Sequence, residues 1–343
     1  MKEHETNKGV ARIYRRIGYV ATALALVVVV LGAYVRLSDA GLGCPDWPGC
    51  YGHLTVGSAQ ANASQVNALY PDKPLETGKA IKEMVHRYAA GTLGLLVLAL
   101  AVIGWWKKRH RVLLTVLAGL IVFQAALGMW TVTMLLQPVV VTGHLLGGMT
   151  VLAILWWLLL DNRYRKGLAN GASPAPTASS GLRWFAAAGL VLLALQIFLG
   201  GWTSSNYAGL ACNGFPSCNG QWWPNADYSN AFGLHEVNAL DGPGLIAIQW
   251  IHRLGAAAVF IVLAALSIKV SPITPKLSLA ICALLVAQVS LGVGNVLFGL
   301  PLPMADAHNA LAALLLLAVI ALNHQLNYPL TQSTGRAPKG VLA

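Results

Sequence analysis

The chain has 343 residues, of which 56% are hydrophobic and only 10% are charged, and its formal net charge is +11 at pH 7. Its mean hydropathy of +0.62 lies well above that of water-soluble globular domains. Composition therefore excludes a soluble enzyme or a soluble binding domain.

Eight apolar segments follow one another along the chain, each close to the roughly 20 residues that cross a bilayer as a helix. They lie at residues 17–35, 84–106, 112–134, 139–160, 184–203, 247–268, 277–298 and 305–323. The sequence predicts an all-α integral membrane protein with eight transmembrane helices. An even number of spans brings both termini to one side of the membrane.

Most of the 23 Lys and Arg residues fall on the same side as the N-terminus, including the basic cluster at residues 107–111. The positive-inside rule then predicts that the N- and C-termini are cytoplasmic. Because topology explains the net positive charge, we expect no nucleic-acid partner.

Four histidines, at the outer ends of the second, fourth, sixth and eighth spans, fall at matched depth. They are His86, His144, His252 and His308. An ionisable side chain at membrane depth is costly unless something satisfies it, and two imidazoles from facing helices suit the axial positions of a haem iron. The pattern predicts two haem sites, one in each half of the chain. The other histidines have no matched partner and are interpreted as structural or solvated: His4, His53, His110, His235 and His324.

The two halves of the chain resemble each other. Residues 31–50 align without a gap on residues 199–218 at an offset of 168, and the paired histidines match at offsets of 166 and 164. Each repeat holds four spans, so we predict two tandem four-helix bundles related by a pseudo-twofold axis along the membrane normal. The predicted domains are an N-terminal bundle at 1–166, a cytoplasmic linker at 167–183 and a C-terminal bundle at 184–343.

The repeats differ at one chemically important position. Glu83 precedes His86 by three residues, whereas Gln249 precedes His252 by three. Positions i and i+3 share a helix face, so Glu83 would point towards the same cavity as His86. The alternative is an interfacial carboxylate in the first helical turn, where the helix dipole favours an acid.

Each repeat also carries an arginine next to its first histidine and two cysteines in its outer loop. Arg87 and Arg253 follow a histidine directly, and they would either pair with haem propionates or anchor the helix at the lipid head groups. Cys44 and Cys50 lie in one turn-rich outer loop, and Cys212 and Cys218 in the other.

These cysteine loops could close small disulfide rings that staple the loop above each bundle. A zinc site fits less well, because the spacing is not the short C-x-x-C type. Cys282, inside the seventh span, is interpreted as a small core residue.

The sequence resembles the heme A synthase family in its combination of features. These are the two four-span repeats, the E-x-x-H-R motif at 83–87, the matching H-R at 252–253, the histidines of the fourth and eighth spans, and the cysteine pair in the first outer loop. The resemblance covers residues 17–323, essentially the whole membrane region. It implies an oxidoreductase that converts the C8 methyl of heme O to the formyl of heme A for terminal oxidase biogenesis.

The resemblance also implies roles for individual residues. His252 and His308 would hold a permanent haem b. His86 and His144 would bind the iron of heme O, the substrate, with Glu83 as the catalytic residue, and heme A would leave as product. In this family a redox-active Cys44–Cys50 disulfide is an alternative to a structural one.

The implied location is the bacterial cytoplasmic membrane, with the haem sites towards the outer face. The implied partners are heme O, heme O synthase, oxidase assembly factors and a membrane electron acceptor.

Two other functions would use parts of the same sequence pattern. A membrane electron-transfer protein with two bis-histidine haems would need the four histidines but not Glu83. A parallel-repeat transporter would place its site near the midplane, between broken helices.

Overall fold

The computed structural model describes residues 2–233 and 240–330, with side chains from residue 9 onwards. Outside this part of the chain lie the predicted loop residue His235 and the side chain of His4. Two further basic residues that the positive-inside rule assigns to the cytoplasmic side, Arg336 and Lys339, also lie outside it. Within it the fold is helical, and eight helices are long and apolar enough to cross a membrane. The predicted fold class and all eight predicted spans are confirmed.

The helices are α1 (Lys2–Leu37), α2 (Val56–Ala61), α3 (Ala63–Leu69), α4 (Thr77–Trp106), α5 (Arg111–Thr133), α6 (Pro138–Ala169), α7 (Ser180–Ser205), α8 (Gly242–Val270), α9 (Pro275–Leu297) and α10 (Leu302–Asn327). The short helices α2 and α3 lie in the loop between the first two spans. One 3-10 turn, Ala208–Leu210, follows α7.

Sequence signals mark where several helices begin. Proline lies in the first helical turn of α6, α8, α9 and α10, where its missing N–H is not needed. The Ser179 hydroxyl accepts from the Leu182 N–H at the start of α7, and the Asp241 carboxylate accepts from the Gly244 N–H at the start of α8.

Some helices extend further than their apolar segments. α4 begins at Thr77, so Glu83 lies in the second helical turn and His86 in the third, not in the first turn as the apolar run suggested. α6 continues to Ala169 and α7 begins at Ser180, so the connection between them is shorter than the predicted linker 167–183. The ends of these helices are polar, so a hydropathy profile does not detect them although the backbone there is still helical.

The long helices pack in two groups of four. In the first, α1 and α5 each contact both α4 and α6; in the second, α7 and α9 each contact both α8 and α10. The groups meet where α1 packs against α10 and α6 packs against both α7 and α10. A single apolar core that includes Leu152, Leu263 and Leu315 runs through both groups. Large apolar side chains on the outside, such as Leu95, Ile268 and Leu279, are exposed as expected of a surface that faces lipid.

The loops at residues 38–76 and 206–233 lie at the same end of the molecule, which we call the disulfide end. The Cys44–Cys50 disulfide is formed in the first loop and the Cys212–Cys218 disulfide in the second, as predicted. All four cysteines are buried. The cavity described below lies beneath the first of these loops.

Candidate active site

Two imidazoles face each other inside the first bundle. His86 on α4 and His144 on α6 have ring centres 6.5 Å apart and ring planes at 88°. A metal bonded by both rings, at metal–nitrogen distances of about 2 Å, would hold the ring centres at a similar separation. The Nδ1 atom of each ring is buried without a hydrogen-bond partner in the described part of the chain. The pair therefore fits the axial positions of a haem iron.

A glycine on the neighbouring helix makes room for each of these rings. A Cβ on Gly32 of α1 would lie 3.1 Å from Cε1 of His86, and a Cβ on Gly128 of α5 would lie 3.4 Å from Cε1 of His144. The distance at Gly32 is tight enough that a larger residue would displace the ring by a few tenths of an ångström, whereas the distance at Gly128 corresponds to close van der Waals contact. The glycines are thus part of the local geometry that positions the imidazoles.

The histidines line a cavity of about 530 Å³ in the first bundle, within the range of small-molecule sites. Its walls are mainly apolar, and its charged lining residues in the described chain are Arg36, Glu83 and Arg87. Leu95 of α4 and Val122 of α5 line the cavity and are also exposed on the outside of the bundle, at 71% and 62%. The cavity therefore opens sideways between α4 and α5, towards the lipid.

Glu83 is buried and joins the cavity to the disulfide loop. One carboxylate oxygen, Oε2, accepts from the Cys44 backbone N–H at 2.9 Å, and the other, Oε1, accepts from Arg87 Nη2. Only 6% of the Glu83 side chain and 12% of the Arg87 side chain are exposed. The pair is a buried, charge-assisted contact one turn from His86, and it lies in the second turn of α4, not in the first turn that the interfacial alternative assumed.

Arg87 also holds the loop. Its Nη1 donates to the Asp46 carbonyl at 2.9 Å and to the carbonyls of Pro48 and Gly49. The sequence suggested either a propionate contact or a head-group anchor, and neither anticipated this use of the guanidinium. Arg87 ties α4 to the loop closed by the Cys44–Cys50 disulfide, and it also lines the cavity, so the propionate contact stays a prediction.

The second bundle repeats the glycine and histidine arrangement. A Cβ on Gly200 of α7 would lie 3.3 Å from Cε1 of His252, and a Cβ on Gly292 of α9 would lie 3.1 Å from Cε1 of His308. Gln288 lies 3.3 Å from the His308 Nε2 atom. His252 and His308 are therefore each placed by an equivalent neighbouring helix, as His86 and His144 are in the first bundle.

Gln249 shows what Glu83 would do without its charge. Its Oε1 accepts from the Cys212 N–H, as Glu83 accepts from Cys44, while its Nε2 donates to the Gly209 carbonyl at 2.6 Å. Arg253 does not pair with it and donates to three loop carbonyls, those of Cys212, Gly214 and Ser217, at distances of 2.9 to 3.0 Å. The loop contacts are shared by the two bundles, and the ion pair belongs to the first.

The remaining described histidines make structural contacts. His324 packs against the rings of Trp157, Tyr164 and Tyr328. His110 lies 3.3 Å from the Asp161 carboxylate, and His53 pairs through its backbone with Cys50. Cys282 is a half-buried free thiol on α9. Among the described residues no group of three or more His, Cys, Asp or Glu side chains is arranged to hold a metal ion, and the four loop cysteines are disulfide-bonded.

Sequence reasoning missed two polar residues near the histidines. Gln196 of α7 has its amide nitrogen 3.0 Å from the His252 Nδ1 atom and donates to the His252 carbonyl. Arg36, at the end of α1, lines the first cavity. The repeat alignment contained the signal for Arg36, which it matches to Ser204. Gln196 lies three residues before the aligned stretch, where the same offset of 168 matches it to Val28.

Comparison with known proteins identifies the family of the chain. Residues 15–320 match the model of the COX15-CtaA family, described as cytochrome oxidase assembly protein. The chain is 44% identical over 321 residues to the heme A synthase of Shewanella oneidensis, covering 90% of this chain and 94% of that protein. It is 30% identical over 339 residues to the heme A synthase of Rhizorhabdus wittichii, covering 89% of this chain and 92% of the relative. The resemblance read from the sequence motifs is confirmed, and the chain belongs to the COX15-CtaA family of cytochrome oxidase assembly proteins.

Proposed function

We propose that the chain is a heme A synthase, an oxidoreductase that oxidises the C8 methyl of heme O to the formyl of heme A. The observation that carries the proposal is the cavity of the first bundle, where His86 and His144 face each other beside the buried Glu83. A simple electron carrier would use the histidines but would have no need for a buried carboxylate on the same wall. The names of the relatives given above support the same reaction.

The two bundles take different roles in this proposal. His252 and His308 bind a permanent haem b, and His86 and His144 bind the iron of heme O. The argument for this division is the ion pair between Glu83 and Arg87 in the first bundle. In the second bundle the position of Glu83 is taken by Gln249, which is neutral. Haem b, when bound, supplies one-electron redox chemistry.

Each residue of the first bundle has a defined task. His86 and His144 fix the centre and plane of the substrate ring, and Gly32 and Gly128 hold the two imidazoles in place. Oxidation of the methyl to the aldehyde, with water as the source of the oxygen, releases protons to the surrounding water and electrons to the membrane acceptor. A Glu83 oxygen accepts a proton or stabilises positive charge that develops at the methyl carbon, in a cavity whose apolar walls strengthen its effect. Arg87 is a positioning residue that holds the carboxylate.

The protein lies in the bacterial cytoplasmic membrane, with both termini cytoplasmic and the disulfide end outside. This orientation follows from the excess of Lys and Arg at the opposite end. The electrons pass to a membrane acceptor, and heme O comes from heme O synthase, with oxidase assembly factors as further partners. The domains are the bundles at 1–166 and 184–343, related by the pseudo-twofold axis, with the linker 167–183 between them.

The experiment is a haem profile of the protein produced in a bacterium that makes heme O but no heme A. We expect chromatography of the extracted pigment to give haem b, heme O and heme A. A single haem type without heme A would support the electron carrier instead. Protein without any haem would support a transporter.

A further inference from the structure

Arg36 lies one helical turn beyond the residue that contacts the first imidazole. Gly32 packs against His86, and Arg36 is four residues further along α1, on the same face. One turn of helix advances by about 5.4 Å. The guanidinium therefore lines the same cavity as His86 but nearer to the disulfide end.

The side chain of Arg36 is held in place, yet its charge is incompletely satisfied. Nη2 donates to the Ser204 carbonyl at 2.8 Å, and the guanidinium carbon lies 4.0 Å from the centre of the Tyr207 ring. The nearest acid, Asp39, is 3.9 Å from Nη1, and its own side chain is 69% exposed, whereas that of Arg36 is 13% exposed. Nε is buried without a hydrogen-bond partner in the described chain. A buried guanidinium with a free donor favours an anionic partner.

The other arginine that lines the cavity, Arg87, already has an ion-pair partner and hydrogen-bond acceptors. Arg87 pairs with Glu83 and donates to the loop carbonyls of Asp46 and Gly49. Arg36 is thus the cationic lining residue of the described chain that lacks a buried carboxylate partner. In the second repeat its position is taken by Ser204, so a cation at this place is a feature of the first bundle.

We propose that Arg36 binds a propionate carboxylate of the haem that docks between His86 and His144. Two axial ligands fix the centre and plane of a haem but leave it able to rotate about the line that joins them. A carboxylate held by Arg36 removes this freedom and selects which edge of the ring faces Glu83. The inference rests on the proposed substrate site. Its new content is that Arg36 sets the rotational orientation of the substrate haem.

The test compares two probes that differ only in the carboxylates, ferric protoporphyrin IX and its dimethyl ester. Each is titrated, by absorption, into protein purified with its haem b. The wild type should bind the free acid about tenfold to a hundredfold more tightly than the ester, as charge-assisted hydrogen bonds predict. Arg36→Gln should reduce this preference to about twofold or less, and Arg36→Lys should keep part of it, since a point charge remains.

Arg183→Gln is the matched control, because it removes a half-buried guanidinium at the opposite end of the molecule and should leave the preference unchanged. Retained haem b absorption reports that each variant is folded. An Arg36→Gln protein that keeps the full wild-type preference overturns the role of Arg36.

His86→Ala separates this inference from the proposal on which it rests. Loss of binding of both probes in His86→Ala, together with an unchanged preference in Arg36→Gln, refutes the role of Arg36 and leaves the substrate site standing. Unchanged binding of both probes in His86→Ala overturns the substrate site, and the role of Arg36 with it.

Discussion

Gly32 on α1 lies directly against the imidazole of His86 on α4: an added Cβ would lie 3.1 Å from the ring, so a larger side chain would have to displace it. Gly200 and His252 have the same relationship in the second bundle, at 3.3 Å. Each histidine is therefore positioned by a neighbouring helix as well as by its own.

Enlarging one glycine should disturb one haem site and spare the other. Gly32→Val pushes the His86 ring out of line, and overpacking of this kind costs about 1–3 kcal/mol. We expect substrate haem to bind about tenfold more weakly, which corresponds to about 1.4 kcal/mol, while haem b content stays normal. Gly200→Val should do the reverse. Equal effects of both variants on both haems, measured by titration and by extracted pigment, would contradict independent sites.

Loss of the histidines themselves should divide the pigment in the same way. His252→Ala or His308→Ala removes an axial ligand of haem b and should strip or perturb it. His86→Ala should leave most of the haem b in place. The measurement is the absorption spectrum of the purified variants with chromatography of the extracted haem. Equal pigment loss from both halves would argue against separate roles for the two bundles.

Arg253→Ala should destabilise the second disulfide loop. The guanidinium donates three hydrogen bonds to loop carbonyls, and a hydrogen bond to a charged group contributes about 1.5–3 kcal/mol. We expect faster proteolysis within the loop and a lower unfolding temperature, with haem b still bound. If the loop is as resistant as in the wild type and haem b is lost, Arg253 binds a propionate instead.

The hydropathy of the sequence predicted the spans well, because a bilayer requires a long apolar run and little else in the chain meets that condition. The apolar run did not reveal the start of α4 at Thr77, because its first turns are polar. For this reason the sequence left open the alternative that Glu83 is an interfacial carboxylate in the first helical turn. In the structure it is buried in the second turn and paired with Arg87.

The residues of the candidate active site could be predicted from the sequence only in part, for a different reason. The four histidines stood out because imidazoles are unusual in apolar segments. The roles of Arg87 and Gln196 depend on which helix lies beside them, and a single sequence does not give helix neighbours directly. The repeat alignment came closest, since it showed Leu-Gly matched in both halves and Arg36 matched to Ser204.

The two disulfides should respond differently to removal. If Cys44–Cys50 is redox-active, the Cys44→Ser, Cys50→Ser double variant keeps its fold and haem b but loses heme A production. The Cys212→Ser, Cys218→Ser variant is the matched control and should lose thermal stability while retaining turnover. Unchanged heme A production in the first double variant would reduce Cys44–Cys50 to a structural staple.

Glu83→Gln isolates the charge of the carboxylate with little other change. Gln249 shows that an amide at this position keeps the bond to the backbone N–H of the loop cysteine, so the substitution should preserve the loop and lose only the ion pair with Arg87. We expect the variant to fold and to bind both haem b and heme O.

The ratio of heme A to haem b extracted from Glu83→Gln and from the wild type, produced side by side with a supply of heme O, tests the central claim most directly. A residue that accepts a proton or stabilises developing charge commonly contributes a factor of about 10² to 10⁴ in rate. We predict that the ratio falls to a trace, with haem b unchanged and heme O or a partly oxidised intermediate accumulating. A ratio close to that of the wild type would contradict the catalytic role of Glu83 and leave it as a residue that only holds the disulfide loop.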